Sequence, residues 1–447
     1  MFTKARPVRL SLLGLFIAST IHMAHATDES APTEMDLLQL KSHAEAVLPP
    51  LAIGKQAIEQ SLTHQSGLQD AKMQEAEAQL RAVGEHEWTV NAATRQRRFR
   101  MDGTRANDYE VGVSRGLRLP GKVTLDNRLS EQHRALADTL AEDSWHEASR
   151  LMVNRVLECR KAAQLLAIST VNVKAQTVFV NQQTQRVKQG DIPAIELMHS
   201  ENELQRMRKD EQAARIQLLQ LRAALETDFP TLAATSPGAL NEPCSDQTLS
   251  TPWPDISPTS QAALIARLQS ENHALRLLEQ QAQLAKLTSE RSRLDEHADP
   301  TVGLSVTTEQ SNLERILGVQ VSIPIGGAAR QSRTALAQAQ SQRLSLEALQ
   351  LRRNVANSAR LALAQYEALR AQYALAQASL HTQELLVEKR LRGYTQGEVT
   401  HTDLNLAQQA LNIARREAVE SQFALDTQGT LLMIDAHWLL QMDEHHP

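Results

Sequence analysis

Aromatic residues are scarce in this sequence, at 3% of 447 residues, although 42% of the chain is hydrophobic. This composition favours long helices packed through Ala and Leu over a conventional globular core. The chain also lacks a Gly-rich phosphate-binding loop, a Gly-x-Ser-x-Gly sequence and a paired-cysteine motif, and it has only two cysteines. In the absence of these motifs, we expect neither an enzyme nor a cofactor.

Two long segments, residues 122–189 and 328–392, lack both glycine and proline. They are rich in Ala, Leu, Gln, Arg and Glu, most of which are strong helix formers. An unbroken helix over residues 122–189 would extend roughly 100 Å at about 1.5 Å per residue. A globular core does not need such a helix, so we expect a structure that crosses a wide gap.

The N-terminus has the pattern of a cleaved secretory signal over residues 1–26. A basic start is followed by a short apolar run and by Ala24-His25-Ala26. Cleavage would remove three of the 47 basic residues and none of the 52 acidic ones. The resulting acidic chain is not expected to bind nucleic acid. No later segment has 18 consecutive apolar residues, so we expect a periplasmic, secreted or outer-membrane β-barrel protein.

Two short regions alternate between apolar and small or polar residues, which predicts strand hairpins over residues 87–119 and 301–325. In the first, Tyr109, Val111 and Val113 share one face with Leu117 and Leu119. One apolar face and one small or polar face are typical of strands that separate lipid from a wet lumen. Arg115 interrupts the apolar face, and we expect it at the rim.

The two halves of the chain have the same plan, which indicates an internal duplication. Gly112 and Gly318 are separated by the same number of residues as Gly121 and Gly327, and Gly190 and Gly397 by one residue more. The predicted organisation is a signal peptide (1–26), a first repeat (27–226), a Pro-rich linker (227–258), a second repeat (259–440) and a polar tail (441–447). The first repeat contains hairpin 87–119, long helix 122–189 and return helix 194–226. The second repeat contains hairpin 301–325, long helix 328–392 and return helix 398–428.

Four strands of about ten residues are long enough to cross an outer membrane but too few to close a barrel. An open sheet in lipid leaves backbone groups unpaired, so the chain must pool strands with copies of itself. Three copies would supply about twelve strands and leave room for a lumen, whereas two would leave a filled interior. The predicted fold class is therefore mainly α with a small β part, in which long antiparallel helices form a tube beneath a shared barrel.

These features together resemble the TolC-type outer-membrane efflux and secretion channels over nearly the whole mature chain. The resemblance rests on the duplication, on the strand-to-helix junctions and on the helix-tip signature at residues 394–411. It implies a homotrimer with a 12-stranded barrel in outer-membrane lipid and an α-helical barrel in the periplasm. It also implies a periplasmic adaptor and an inner-membrane, proton-driven transporter as partners. The junction sequence Leu119-Pro120-Gly121-Lys122 looks most like the heavy-metal cation branch. The junction residues are Pro120, Gly121, Pro324, Gly326 and Gly327.

The resemblance places the channel constriction at Asp403 and Glu196, where carboxylates repeated around an axis would select for cations. The alternative is that each is a first-turn acid stabilised by the helix dipole. A second acid that many members carry one turn later is Leu406 here. The residues expected to shape the tip and contact the adaptor are Tyr394, Gly397, Glu398, Gly190 and Asp191. Tyr394 has the alternative role of packing between helices.

No metal site is expected. Glu196 and His199 have the Glu-x-x-His spacing of di-metal helical bundles, but such sites need a second copy and two further acids, and no second copy occurs. The acidic and histidine residues at 443–446 are more typical of a frayed polar tail than of a metal site.

The two cysteines are expected to lie at similar heights. Cys159 lies about 46 Å along its helix from the turn at Gly190, and the return helix climbs about 50 Å from the same turn before the linker that holds Cys244. In an oxidising periplasm these positions permit a disulfide. The alternative is that Cys159 is a buried apolar residue and Cys244 an incidental loop thiol.

Three functions remain open from the sequence. The first is a passive exit duct of a tripartite efflux system that exports heavy-metal cations or drugs, and the second is a type I protein-secretion channel. The third, of a different class, is a periplasmic coiled-coil adaptor. Strands placed at the start of each long helix, rather than in one compact β domain, favour a duct.

Overall fold

The computed structural model of the chain describes residues 30–233, 244–245 and 253–442. Its elements, in order, are α1 (Ser30–Val47), α2 (Leu51–Gln60), α3 (Leu62–Val83), β1 (Trp88–Arg98), β2 (Arg105–Gly116), α4 (Pro120–Gln189), α5 (Ala194–Asp228), α6 (Pro230–Ala233), α7 (Pro258–Ser270), α8 (His273–Leu294), β3 (Thr301–Glu309), β4 (Glu314–Ser322), α9 (Ala328–Gln396) and α10 (His401–Asp435). The predicted fold class of each chain, mainly helical with a small β part, is confirmed. The expected signal peptide, most of the Pro-rich linker and the end of the polar tail lie outside the described residues. Within these ranges, no helix combines the length and hydropathy needed to cross a bilayer.

The four strands form one antiparallel sheet in the order β1-β2-β3-β4. The two hairpins join through β2 and β3, where Gly112 lies opposite Ser305. Ser305 also lies opposite Gly318, so equivalent glycines of the two halves flank one residue. A Cβ on Gly112 would lie 3.1 Å from the Leu304 carbonyl oxygen, and one on Gly318 would lie 3.0 Å from Ser305 Oγ. The neighbouring strands can therefore approach each other most easily when glycine occupies both positions.

The register divides the sheet into two unlike faces. The first face carries mostly small, polar or charged residues, including Asn91, Ala93, Arg95, Arg97, Asp108, Glu110, Ser114, Gly303, Thr307, Glu309 and Gln320. The second face is mostly apolar and includes Trp88, Val90, Ala92, Tyr109, Val111, Val113, Val302, Leu304, Val306, Leu317, Val319 and Val321. In the single chain these apolar side chains are largely exposed, with Leu317 at 79% and Val319 at 73%.

Both predicted hairpins end earlier than expected. β2 ends at Gly116 rather than at residue 119, because Leu119 is already the N-cap of α4 and Pro120 is its first residue. β4 ends at Ser322 rather than at residue 325. Pro324 has no backbone N–H to continue the ladder. Leu117 and Leu119 therefore belong to the connection and not to the strand.

The helices differ from the predicted ones at capping residues. The helical segment of residues 51–83 is divided at Ser61, whose side chain accepts a hydrogen bond from His64 N. The helical segment of residues 258–294 is divided before Asn272, which caps α8 in the same way. The second return helix begins at His401 instead of residue 398, because Thr400 is its N-cap, and it continues to Asp435 instead of residue 428. The second long helix continues through Gly393 to Gln396, beyond the expected residue 392.

A hydrophobic core lies midway along the long helices and joins them to α1, α2 and the segment that follows the linker. Trp253 donates a 2.6 Å hydrogen bond to the buried Asp426, and the Tyr366 hydroxyl donates one of 2.8 Å to the Pro254 carbonyl. Burial raises the pKa of Asp426 to about 6, although the bond from Trp253 opposes this shift. These contacts hold the post-linker segment against α9 and α10.

Cys159 and Cys244 form a disulfide with their Cα atoms 5.1 Å apart. Both side chains are buried in the same core. The bond links α4 to a residue of the linker. The two cysteines thus lie at similar distances along the helices from the turn at Gly190, as the helix lengths indicated. It closes a loop over a sequence separation of 85 residues.

Replacing both cysteines by alanine should lower the stability of the folded chain by about 2–4 kcal/mol, because a long loop gains freedom in the unfolded state. Thermal unfolding of the double variant and of reduced and oxidised wild-type protein measures the effect. The reduced wild type should resemble the variant. Mass spectrometry of non-reduced protein that finds both thiols free would contradict the assignment.

Candidate functional site at the helix tips

Both long helices end in the same turn, at Gly190 and Gly397. These glycines have φ of 79° and 80°, in the left-handed region that glycine adopts most easily. Asp191 N donates to Arg186 O at 2.9 Å, and Glu398 N donates to Gly393 O at 2.9 Å. This pattern is a Schellman cap, repeated in the two halves. The glycines and the acids that follow them are exposed, as expected for residues that form an outer surface of the tip.

Tyr394 joins the ends of the two long helices within one chain. Its hydroxyl accepts hydrogen bonds from Gln183 Nε2 at 2.8 Å and from Arg186 Nη1 at 2.7 Å. The Arg186 guanidinium also lies 5.5 Å from the centre of the Tyr394 ring. Tyr394 is half-buried. Of its two expected roles, the geometry supports packing between helices, and an adaptor contact stays a prediction.

His401 connects the first turns of the two return helices. It is buried, lies 3.0 Å from Ser200 Oγ and stacks on Phe179 with ring centres 5.3 Å apart. Burial lowers the pKa of His401, although the neighbouring Glu196 carboxylate opposes the shift. A neutral His401 therefore fills the space between α4, α5 and α10. The sequence analysis missed this residue, because a lone histidine after a helix turn has no distinguishing pattern.

Asp403 lies in the first turn of α10, where it takes part in helix capping. The Thr400 hydroxyl donates to Asp403 Oδ2 at 2.6 Å and accepts from Asp403 N at 3.2 Å. Arg390 lies close by, with Nη1 3.9 Å from Asp403 Oδ1. The side chain remains 50% exposed. Asp403 is thus a first-turn acid of α10 with an exposed side chain at the tip, and both of its expected roles stay predictions.

Glu196 occupies the corresponding place in the first turn of α5. It is half-buried and lies near enough to His401 to influence its pKa. His401 therefore lies in the same first turn of α10 as Asp403 and close to Glu196. Their role in a constriction stays a prediction.

The predicted strand-to-helix junction contains a charged cluster that the sequence analysis missed. Lys122 is 2% exposed, and its Nζ lies 2.9 Å from Asp299, 3.0 Å from Asp295 and 2.7 Å from the His297 carbonyl oxygen. His86 also bonds Asp299 at 3.0 Å. Burial raises the pKa of Asp299, but the bonds from His86 and Lys122 outweigh this effect and leave it lowered. Lys122 therefore has a structural role that joins the two halves.

Arg118 and Arg291 extend this cluster around Asp126. Asp126 accepts from Arg118 at 3.2 Å and from Arg291 at 2.7 Å. Arg118 also donates to the last carbonyls of α3, at residues 81–83, and so caps that helix. At the second junction, a Cβ on Gly326 would lie 2.6 Å from the Glu296 carbonyl oxygen, which makes glycine necessary there. Gly121 and Gly327 have no comparable clash.

Three histidines that lie far apart in the sequence form a second unpredicted cluster near the middle of the helices. The ring centres of His146, His273 and His437 lie 4.6 to 5.5 Å apart. His437 has a φ of 57° at the end of α10, where glycine or asparagine is usual. No group of His, Cys, Asp and Glu in the described parts of the chain is arranged to hold a metal.

The charges around this cluster make its three imidazoles unequal. Burial lowers the pKa of His146, but its hydrogen bonds to the Asp435 and Glu147 carboxylates outweigh this effect and raise the pKa to about 9. Burial lowers the pKa of His273 to about 3, with further lowering by His437 and His146. Burial also lowers the pKa of His437. One charged imidazole therefore packs against two neutral ones.

The four-stranded sheet and the long helical hairpins with matching tips define a class of fold: the TolC-type fold, with long helices and a few strands in each chain. No protein-family profile and no curated protein sequence matches the chain. Solved structures with this fold include VceC from Vibrio cholerae, with 12% identity and a TM-score of 0.70 over 86% of this chain and 95% of that one. CmeC from Campylobacter jejuni has 14% identity and a TM-score of 0.69 over 88% and 86%. MtrE from Neisseria gonorrhoeae has 14% identity and a TM-score of 0.69 over 89% and 90%. At these identities the likeness shows a shared fold.

The histidine cluster should make the protein less stable as the pH falls below about 6.5. His273 and His437 have lowered pKa values, so the unfolded chain binds protons there that the folded chain does not. The contribution of His146 has the opposite sign: it is complete below about 6.5 and is lost progressively as the pH rises from there to about 9. We compare unfolding temperatures at about pH 7.5 and about pH 5.5, on either side of the usual histidine pKa. The drop in unfolding temperature on acidification should be smaller in a His273→Gln/His437→Asn variant than in wild type.

Asn suits the left-handed backbone at position 437, so the variant retains the turn. His381→Gln is a matched control on α9, outside the cluster. Equal pH dependence in the cluster variant and in wild type would contradict the assignment of neutral rings.

Proposed function

We propose that three copies of this chain form a passive outer-membrane exit duct that extends into the periplasm. The observation that carries the proposal is a four-stranded sheet with one apolar face and two edge strands, β1 and β4, that lack an outer neighbour among the described residues. In lipid these edges require partners, and β4 of one copy paired with β1 of the next supplies them. Three copies give a barrel of about twelve strands with a lumen.

The helices would continue this ring below the membrane. β2 leads into α4 and β4 leads into α9 within a few residues, so closing the sheet also arranges the long helices around one axis. At about 1.5 Å per residue these helices form a tube about 100 Å long. The charged cluster around Lys122 lies at the change from sheet to helix. Its buried ion pairs support a fixed junction.

The duct would work with a periplasmic adaptor and an inner-membrane, proton-driven transporter. The exposed turns at Gly190 and Gly397, with Asp191 and Glu398, form the surface proposed for the adaptor. Cation efflux is the proposed activity, because Asp403 and Glu196 would place six carboxylates around the entrance of a trimer. The Leu-Pro-Gly-Lys junction contributes less to this assignment, since Lys122 is buried in structural ion pairs.

Protein secretion and drug efflux remain alternative activities of the same duct. Growth of a gene-deletion strain on metal salts, dyes and antibiotics separates these cargo classes. A periplasmic adaptor is a different class of function. The exposed apolar face of the sheet favours the duct, because a water-soluble adaptor has no use for such a surface.

The expressed full-length protein should fractionate with the outer membrane and migrate as a heat-modifiable trimer in detergent. Closing the edges β1 and β4 requires the neighbouring copies, so the trimer should form as the protein folds. Gel mobility before and after heating, together with mass measurement in detergent, checks this expectation. A water-soluble product, or a monomer in detergent, would refute the duct.

Asp403→Asn should lower the cation selectivity of the channel in a planar bilayer. Asn keeps the side-chain oxygen that Thr400 contacts, so the helix cap remains while three negative charges leave the trimer. Reversal potentials in a salt gradient measure selectivity. Glu420→Gln, an equal charge change at an exposed position higher on α10, is the control and should behave as wild type. An unchanged reversal potential in the Asp403 variant would remove this residue from the constriction.

A further inference from the structure

Five arginines of the strands lie toward the strand ends that are farthest from the helices. They are Arg95, Arg97, Arg98, Arg105 and Arg315. The sheet register separates them into two groups, because alternate residues of a strand point to opposite faces. The two groups differ in their ion pairs.

The arginines on the polar face are neutralised within the chain. Arg95 Nη2 lies 2.8 Å from Glu110 Oε2. Arg97 Nη2 lies 3.0 Å from Asp108 Oδ2 and 2.6 Å from Glu309 Oε2. These carboxylates neutralise the two arginines on the face that would line the lumen.

Three arginines on the apolar face lack such partners. Arg98 lies directly opposite Arg105 in the β1–β2 register. Arg315 lies opposite Thr308, which in turn lies opposite Tyr109, so these three residues form one row across the strands. All three are exposed, and none of them contacts a carboxylate within the described residues. Like charges placed opposite each other destabilise a strand pair. The group, here called the outer arginine set, is therefore available to anions from outside the chain, which would also relieve the repulsion between Arg98 and Arg105.

The position of the outer arginine set indicates which anions these are. It shares a face with the apolar rows of Val111, Val306 and Leu317, and it lies on the side of those rows away from the helices. Tyr109 lies between the apolar rows and the Arg98–Arg105 pair, as aromatic residues do at membrane interfaces. The row of Arg315 and the row of Arg98 and Arg105 lie about 13 Å apart along the strands.

We propose that the outer arginine set, Arg98, Arg105 and Arg315, binds phosphate groups of anionic lipid headgroups in the outer leaflet. Guanidinium groups match phosphate oxygens in a planar, two-bond arrangement. The lipids would neutralise the facing Arg98 and Arg105 and fix the height of the barrel in the membrane. This inference rests on the proposed duct, whose outward face contacts lipid.

The test uses the full-length trimer in neutral detergent and native mass spectrometry. The added probes are lipid A, phosphatidylcholine and inorganic phosphate, each in a separate titration. We expect lipid A to bind to wild type and inorganic phosphate and phosphatidylcholine to bind far more weakly. At about 1 kcal/mol per arginine, the Arg98→Gln/Arg105→Gln/Arg315→Gln variant should bind lipid A about 100-fold more weakly.

The control variant, Arg353→Gln/Arg360→Gln/Arg416→Gln, removes the same charge from exposed positions on α9 and α10. It should bind lipid A as wild type does. Equal binding of lipid A by the triple variant of the outer arginine set and by wild type would overturn the proposal. Equal binding of free phosphate and lipid A by wild type would also overturn it.

A salt series on the wild-type trimer gives a second test that does not depend on how the variant folds. Phosphate contacts should weaken as salt screens them, so lipid A binding that is unchanged at high salt would overturn the proposal. Trimer formation is read from the same spectra. A wild-type trimer without lipid A binding removes only this inference, whereas a monomer removes the duct as well.

Discussion

The unpaired edges of a four-stranded sheet are the constraint on which the rest of this structure depends. Hydrocarbon offers no hydrogen-bond partners, so an apolar sheet with open edges β1 and β4 is stable in a membrane only when copies close it. Because β2 and β4 lead directly into α4 and α9, the same closure would set the long helices around a common axis. One requirement of backbone hydrogen bonding would therefore connect the proposed oligomer, barrel and tube.

The middle and the tip of the helices are held together by different interactions. The middle has a dense apolar core, a disulfide between Cys159 and Cys244, and buried bonds such as that from Trp253 to Asp426. At the tip, polar contacts of Tyr394 and His401 connect the helices. A hydrogen bond contributes about 1 kcal/mol, so separating the tips costs far less than disrupting the core. This gradient suits a duct that is rigid along its length and adjustable at its entrance.

Charge is distributed according to its surroundings. Buried charges at the junction are paired, as with Lys122 between Asp295 and Asp299, because an unpaired charge in the interior is costly. On the polar face of the sheet, Arg97 has two acidic partners. Arg98 and Arg105, on the opposite face, have none among the described residues, which is consistent with neutralisation by lipid phosphate in the proposed assembly.

The sequence by itself determined the duplication, the strand alternation, the long helices and the turns at Gly190 and Gly397, because these depend on local periodicity and on backbone conformations that glycine permits. It also indicated the cysteine pair, since helix lengths convert directly into heights. Only the tertiary structure decided which distant side chains meet: Lys122 with Asp299, Tyr394 with Arg186, and His146 with His273 and His437. Such contacts depend on how the helices and strands pack, and no periodicity along the chain encodes them.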